Sequence, residues 1–188
     1  LNDWGFNKAN LIGSKAQVQF HKFFTLAHLQ EKDKAWTELK KSQKNANDRI
    51  KLNEAANQQD YDNLKQDQIA DEAWYHILFA EYEKAERKLA KVYEIQSKKE
   101  FVGALDQYNG LYGMLYLMKG DPKSSLKYFN DRISVQNNTY FAYFKGLALK
   151  ATGQNDDAKS IFTEIANYNF SGWGAGLVRT LAEKQVAS

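Results

Sequence analysis

The C-terminal half of the chain contains a pattern of four residues that occurs twice, in the same order and at the same spacing. Each copy has a glycine, a second glycine, a small residue and a phenylalanine. The first copy comprises Gly113, Gly120, Ser125 and Phe129, and the second comprises Gly146, Gly153, Ala158 and Phe162. Agreement at four positions in one register predicts a repeated unit of two helices joined by a short turn. Such a unit must stack on a neighbour to bury its apolar side.

The residue types at these positions predict close packing between helices. Gly113 and Gly146 would lie in mid-helix, where glycine costs about 1 kcal/mol relative to alanine, so we expect close helix crossings there. Gly120 and Gly153 would end the first helix of each pair in the left-handed conformation. Pro122, the single proline of the chain, suits the first turn of a helix. The helices predicted for the two repeats are 105–119, 122–135, 139–152 and 155–168.

Helical periodicity also dominates the rest of the chain, and no stretch alternates with the period of two that marks a strand. The first clear helix is predicted from Ser14, as an N-cap after Gly13, to about Gln30, and a second helix follows after residue 31. The sequence therefore predicts a single all-α domain over residues 1–188. It would consist of long helices at 1–100, two helical hairpins at 101–171 and a C-terminal capping helix at 172–188.

A polar segment separates the first helices from the next apolar stripe. Residues 40–72 are rich in Gln, Lys, Asn, Ala and Glu, which favours an exposed, projecting helix with a turn near Gln58 to Asp62. Apolar spacing then returns from Trp74 to Val92, which predicts one long helix ending near Ser97. The role of the polar segment is left open by its sequence.

The two C-terminal repeats resemble the tetratricopeptide repeat (TPR) family over residues 106 to about 171. That family has a small residue in its first helix, a turn glycine, a small residue opening the second helix and an aromatic residue four positions later. The chain departs from the family at Asn109 and Ala142, where Trp is preferred, and at Asn137 and Phe170, where Pro is preferred. The resemblance implies a right-handed α-solenoid.

A degenerate earlier repeat is a further expectation, over residues 14–45. Ala35 and Leu39 would be its small and large pair in the second helix, and Gln30 stands where the turn glycine belongs. The resemblance also implies that the first helix of each hairpin lines a groove for a peptide or helical segment of a partner protein. Gly110 would face this groove together with seven candidate partner-binding residues: Met114, Leu117, Met118, Tyr140, Tyr143, Leu147 and Lys150.

The character of these groove residues narrows the kind of partner. They are mostly apolar, whereas the family's clamp for chaperone tails uses Lys, Asn and Arg, so an apolar or helical partner segment is favoured. An equally weighted alternative is that the long N-terminal helices fill this surface as core. Most of the tyrosines, phenylalanines and tryptophans lie on helical stripes and are expected in the core.

Several kinds of chemistry have no support in the composition. The chain has no cysteine, which excludes a thiol nucleophile and cysteine-ligated zinc. His21 and His28 are too far apart along a helix to share a metal, and His76 lacks further ligands at metal-binding spacing. The net charge of +3 is evenly distributed, which argues against nucleic-acid binding. We therefore expect no catalytic residues, no cofactor, no metal and no membrane span in this chain.

The sequence favours a non-enzymatic protein-interaction scaffold of TPR type whose partner is a protein or peptide. The alternatives are an accessory domain of an enzyme or transporter, or a helical binder of a small apolar ligand. Self-association through the stripe from Trp74 to Val92 is a third possibility. The absence of cysteine slightly favours a bacterial periplasm or cell envelope as its location.

Overall fold

A computed structural model describes residues 3–168 and 172–187, with side chains described from residue 8 onward. These residues form nine α-helices and no strand, which confirms the all-α prediction. Residues 169–171, at the end of the second predicted hairpin, and Ser188, at the end of the predicted capping helix, lie outside the described residues. The helices are α1 Asp3–His28, α2 Lys32–Lys51, α3 Gln58–Leu78, α4 Tyr82–Gln96, α5 Asp106–Met118, α6 Pro122–Tyr128, α7 Val135–Ala151, α8 Asn155–Asn167 and α9 Trp173–Val186.

The chain divides into two compact units, Leu1–Glu81 and Tyr82–Ser188. Unit 1 contains α1 to α3 and unit 2 contains α4 to α9. The sequence predicts that long helices give way to helical hairpins near residue 100, whereas the boundary between the two compact units falls between Glu81 and Tyr82.

Four helices end in the same kind of turn. The residue that reverses the chain has a left-handed backbone, with φ of 60° at Gln30, 55° at Ala80 and 83° at both Gly120 and Gly153. The following N–H donates to a carbonyl five residues earlier, at 2.8–3.0 Å in all four turns. This is the Schellman motif, which satisfies carbonyls at a helix C-terminus. The next helix begins two residues after each left-handed residue.

A second regularity follows these turns. The residue five positions after the left-handed residue is small, and the residue nine positions after it is large and apolar. All eight side chains at these positions are buried: Ala35, Leu39, Ala85, Leu89, Ser125, Phe129, Ala158 and Phe162. The offsets predicted for the two C-terminal repeats therefore occur at four turns, which follow one another at unequal and decreasing distances along the chain.

The turn at Ala80 overturns the prediction of one long helix from Trp74 to Val92. Leu78 ends α3 and Tyr82 begins α4, so the apolar stripe belongs to two helices. The N–H groups of Ala80 and Glu81 donate to the carbonyls of Ile77 and His76, at 3.1 and 2.8 Å. These hydrogen bonds stabilise a helix end that no glycine or proline marks in the sequence.

In unit 1, α1 runs without interruption through Gly13 and Ser14, which corrects the predicted start at Ser14. The Ser14 hydroxyl donates to the carbonyl of Asn10 at 3.0 Å, as a serine inside a helix does, and does not cap one. A Cβ at Gly13 would lie 3.0 Å from the side chain of Arg49 on α2, so this glycine makes room for the arginine.

The polar segment of unit 1 packs between helices, which corrects the prediction of an exposed, projecting helix. Ser42 on α2 is buried and donates to the carbonyl of Ala16 on α1 at 2.8 Å. Gln43 and Gln68 each donate from the side-chain amide to the other's backbone carbonyl, at 3.1 and 3.3 Å, and so join α2 to α3. The predicted turn also falls earlier, between Lys51 and Gln58.

Ser42, Gln43 and Gln68 form a polar seam between the helices of unit 1. An aromatic core lies in the same unit. The ring centroids of Phe24 and Trp74 are 4.5 Å apart, and those of Trp36 and Tyr75 are 4.8 Å apart. Lys40 lies at its edge, with Nζ 4.3 Å above the Trp36 ring and in an ion pair with Glu72. Unit 1 is thus stabilised both by aromatic packing and by hydrogen bonds from the side-chain amides of Gln43 and Gln68.

In unit 2, the repeated glycines give space to the repeated phenylalanines. A Cβ at Gly113 would lie 2.6 Å from the ring of Phe129, and one at Gly146 would lie 2.6 Å from the ring of Phe162. Buried Ser125 donates its hydroxyl to the carbonyl of Gly113 at 2.7 Å. The close crossings predicted from the repeated pattern are present in both hairpins.

The second helix of the first hairpin is shorter than predicted. It ends at Tyr128 and not near Val135, because Asn130 accepts hydrogen bonds from the N–H groups of Arg132 and Ile133 in a tight turn. The next helix begins with one turn, then breaks at Asn138, where φ is −155°. The Asn138 side chain caps the remainder by accepting from the N–H of Phe141 at 3.0 Å.

Candidate protein-interaction surface

The structure buries part of the predicted partner-binding groove. Met114, Tyr140 and Tyr143 are buried, Leu117 and Leu147 are half-buried, and Met118 and Lys150 are exposed. A Cβ at Gly110, also predicted to face the groove, would lie 2.3 Å from the ring of Phe141, so Gly110 lies where α5 meets α7. In this structure a partner has no access to the three buried side chains.

The C-terminal helix covers the α7 part of this groove. Trp173 packs on Tyr140 with ring centroids 5.7 Å apart, and Lys150 donates to the side chain of Gln185 at 3.0 Å. A Cβ at Gly174 would lie 3.2 Å from the Cβ of Tyr140, which shows how closely α9 approaches. The face of α7 expected to be open, or filled by N-terminal helices, is therefore covered by α9 of the same unit.

A different surface of unit 2 carries a cluster of five tyrosines, hereafter the tyrosine surface. Successive ring centroids lie 5.0 Å apart between Tyr93 and Tyr108, 4.7 Å between Tyr108 and Tyr112, and 6.0 Å between Tyr112 and Tyr116. Tyr128 packs against the last two of these. Tyr93 has an exposed fraction of 47%, and the other four are half-buried.

Three consecutive helices supply these rings. Tyr108, Tyr112 and Tyr116 are spaced four apart on α5 and so share one side of that helix. Tyr93 comes from α4 and Tyr128 from α6. The sequence predicts most aromatic residues to be core, and these five are exceptions because they are partly exposed. Helical periodicity places rings on one face but does not say whether another element covers that face.

Tyr128 stacks on two rings of α5. Its centroid is 5.0 Å from that of Tyr112, with planes 26° apart, and 5.5 Å from that of Tyr116, with planes 12° apart. Beyond the effect of burial, the phenol of Tyr116 raises the pKa of Tyr128, and the phenol of Tyr112 raises that of Tyr108. One side chain of α6 therefore fastens to two successive turns of α5.

Tyr108, Tyr112 and Tyr128 are neutral at physiological pH. Partial burial raises the pKa of Tyr108, Tyr112 and Tyr128 above the usual value near 10, and the neighbouring phenols raise it further. A neutral phenol can both donate and accept a hydrogen bond. The surface thus combines apolar ring faces with hydroxyls that can act as hydrogen-bond donors or acceptors.

The border of the tyrosine surface is polar. Lys119 Nζ pairs with Glu86 at 2.7 Å, and the Glu86 carboxylate helps to raise the pKa of Tyr112. Tyr82 donates its hydroxyl to the carbonyl of Met118 at 2.8 Å. An aromatic centre with a charged and polar rim is the usual anatomy of a protein-interaction patch.

Unit 1 carries an open groove of about 760 Å³ between α1 and α2. Val18 and Leu26 contribute its apolar side, and Val18 has an exposed fraction of 53%. Most of the remaining lining is charged or polar: His21, Lys22, Thr25, Asp33, Lys34, Thr37, Glu38 and Lys41. These groups point to no single ligand chemistry.

The histidines do not assemble a metal centre. His76 Nδ1 is 2.7 Å from Glu81 Oε2, and Glu81 also pairs with Lys32 at 3.2 Å. Burial lowers the pKa of His28. Within residues 3–168 and 172–187, no group of three or more His, Asp or Glu side chains could hold a metal ion.

None of the described helices is long and apolar enough to cross a membrane. Comparison of the chain with protein-family models, curated proteins and solved structures found no match.

Proposed function

We propose that the chain is a non-enzymatic protein-interaction scaffold of the TPR type, and that the tyrosine surface of unit 2 is its principal contact with a protein partner. The observation that carries the proposal is the continuous group of five partly exposed tyrosines on α4, α5 and α6. A group this large is unusual outside binding sites, because solvent-exposed rings cost hydration free energy that a partner recovers by covering them.

Tyrosine suits this role for energetic reasons. It contributes a large contact area with only two side-chain torsions to restrict, so little conformational entropy is lost on binding. Tyr108, Tyr112 and Tyr128 are already held by their mutual ring contacts before a partner arrives. A pre-ordered surface gives up less free energy on association than a mobile one.

The repeated turns support the TPR assignment. Gly120 and Gly153 precede the small and large residues at the family's offsets, and Gln30 and Ala80 precede the same residue classes. In unit 2, the hairpins α5–α6 and α7–α8 would stack as in a right-handed α-solenoid, and α9 would be the capping helix. The wider separations of the Gln30, Ala80 and Gly120 turns would then mark repeats with lengthened helices.

The test compares capture of partners by variants of the full chain. We expect a protein captured from source-cell extract by the unaltered chain to be lost with Tyr93→Ala and with the double variant Tyr112→Ala/Tyr128→Ala. With the purified partner, the double variant should weaken binding by about 30-fold, which corresponds to about 2 kcal/mol for a hot-spot pair. Circular dichroism of each variant checks that the helices remain.

Tyr61→Ala is the matched control, because Tyr61 is an exposed tyrosine of α3 outside the tyrosine surface. The partner should bind this variant as it binds the unaltered chain. Unchanged binding by Tyr93→Ala and by the folded double variant would refute the role of the tyrosine surface. A second set, Met118→Ala and Lys150→Ala, tests the exposed part of the sequence-predicted groove.

A further inference from the structure

The stacking around Tyr128 has a chemical consequence that does not depend on a partner. Tyr128 on α6 lies against Tyr112 and Tyr116 of α5, with ring centroids 5.0 and 5.5 Å away. The Tyr116 and Tyr128 rings are stacked with planes 12° apart, which brings their ring carbons close together. The ring carbons next to a phenol oxygen are the positions at which two oxidised tyrosines couple.

We propose that the tyrosine surface is an oxidative modification site, at which Tyr128 becomes joined to Tyr112 or Tyr116 as dityrosine. The co-reactant is hydrogen peroxide acting through a haem-type peroxidase, a class of one-electron oxidant. Each phenol loses one electron and one proton, and together these reduce one hydrogen peroxide to two waters. The two ortho carbons form a carbon–carbon bond, and the hydrogens they carried move to the phenol oxygens.

The chain has few of the sulfur side chains that would compete for the oxidant. The chain has no cysteine and only two methionines, which are the side chains that usually take up oxidants first. Tyr93, the most exposed ring of the surface, is 5.0 Å from Tyr108 between centroids, and the series continues to Tyr128. A radical formed on any of the five can therefore pass between touching rings until two meet.

The product would tie two helices together. Tyr128 is the last residue of the short helix α6, and the three α5 tyrosines occupy successive turns. A covalent bond from Tyr128 to Tyr112 or Tyr116 closes a short loop that passes through the Gly120 turn. Closing a loop restricts the unfolded chain, so we also expect the modified protein to unfold at a higher denaturant concentration.

The experiment treats the full chain, at low concentration, with a haem peroxidase and hydrogen peroxide. The expected product has the mass of the monomer less two hydrogen atoms and shows dityrosine fluorescence. Trypsin cuts after Lys99, Lys119, Lys127 and Arg132, so the α5 tyrosines lie in peptide 100–119 and Tyr128 lies in peptide 128–132. Mass spectrometry should find these two peptides joined.

Tyr128→Phe keeps the ring but removes the phenol, so the joined peptide should be lost and the monomeric dityrosine signal should fall, while the helical content stays. Tyr61→Phe, outside the surface, should leave the yield unchanged. The proposal is overturned if peptide 128–132 is recovered unlinked, if cross-links form only between molecules, or if folded Tyr128→Phe gives as much monomeric dityrosine as the unaltered chain.

Discussion

Gly113 and Gly146 act through the space that they leave. Each lies in mid-helix, and each faces a buried phenylalanine ring 2.6 Å from where a Cβ would stand. Because a glycine at such a position weakens its helix by about 1 kcal/mol, the packing of Phe129 and Phe162 must more than offset that cost. The pattern repeats in the sequence because the two hairpins contain equivalent close helix crossings.

Gly113→Ala should lower the free energy of unfolding by about 1–2 kcal/mol, because a forced shift of the Phe129 ring outweighs the better helix propensity of alanine. Denaturant unfolding of unit 2 helices, followed by circular dichroism, measures the change. Gly176→Ala in α9 is the control, since nothing lies within 4 Å of its Cβ position. That variant should be neutral or more stable, and a stabilised Gly113→Ala would contradict the proposed packing.

Asp71 gives unit 1 a pH dependence. Burial, and then the carboxylates of Asp67 and Glu72, raise the pKa of Asp71 well above its ordinary value of 3.8. The folded state then binds the proton more tightly than the unfolded state, so stability falls as the pH rises from about 3.8 through the raised pKa. Above that pKa the cost of the buried charge is fully present.

Asp71→Asn should therefore raise the unfolding temperature at neutral pH and have little effect at pH values below the ordinary pKa. Asp48→Asn is the control of opposite sign, because the ion pair with Lys44 lowers the pKa of Asp48. Thermal unfolding of both variants across the acid range measures the two effects. An Asp71→Asn variant that is less stable at neutral pH would show that the carboxylate makes favourable interactions.

At the level of the elements, four helices end in one type of turn, but only two of the turns use glycine. Left-handed backbone is strained for residues with a Cβ, and Ala80 adopts it at φ 55°. The strain is tolerated because the N–H of Glu81 reaches the carbonyl of His76 at 2.8 Å. Hydrogen bonding at the helix end thus fixes a conformation that alanine itself disfavours.

Ala80→Gly should stabilise the chain by about 1 kcal/mol, since it relieves the left-handed strain. Gly120→Ala is the matched reverse change at the equivalent position, where φ is 83° and nothing lies within 4 Å of the Cβ position. It should destabilise by a similar amount. Equal and opposite shifts in denaturation midpoint are expected, and a destabilised Ala80→Gly variant would argue against an equivalent turn.

The sequence predicts these elements unevenly, for identifiable physical reasons. Gly120 and Gly153 are visible because glycine marks a left-handed turn, whereas Gln30 and Ala80 carry no such mark. Comparison of the sequence with itself at a constant spacing finds the two glycine turns. The Gln30 turn is indicated only by the pair Ala35 and Leu39 that follows it, and the Ala80 turn is missed. The helix break at Ala80 is apparent only from its backbone.

The polar seam and the tyrosine surface were missed for a different reason. Hydropathy treats Ser42, Gln43 and Gln68 as solvent-facing, although each donates to a backbone carbonyl of another helix. Conversely, aromatic spacing on α5 predicts burial, although Tyr108 and Tyr112 remain partly exposed. Both cases depend on which helix packs against which, and that information lies outside any single periodic segment.

At the scale of the whole molecule, the two units differ in which side chains they expose to solvent. Unit 2 closes the α7 face with α9 and leaves the tyrosine surface partly open. Unit 1 has a mixed-charge groove between α1 and α2, and in its aromatic cluster Phe24, Trp74 and Tyr75 are buried. We therefore propose partner binding at residues 93–128 of unit 2.

Hydrogen–deuterium exchange of the full chain, with and without the partner captured by it, tests this assignment most directly. We predict slower exchange on binding in α4, α5 and α6, around Tyr93, Tyr112 and Tyr128, with little change at the α1–α2 groove. Protection confined to unit 1, or to α7 and α9 of unit 2, would contradict the claim that the tyrosine surface is the binding site.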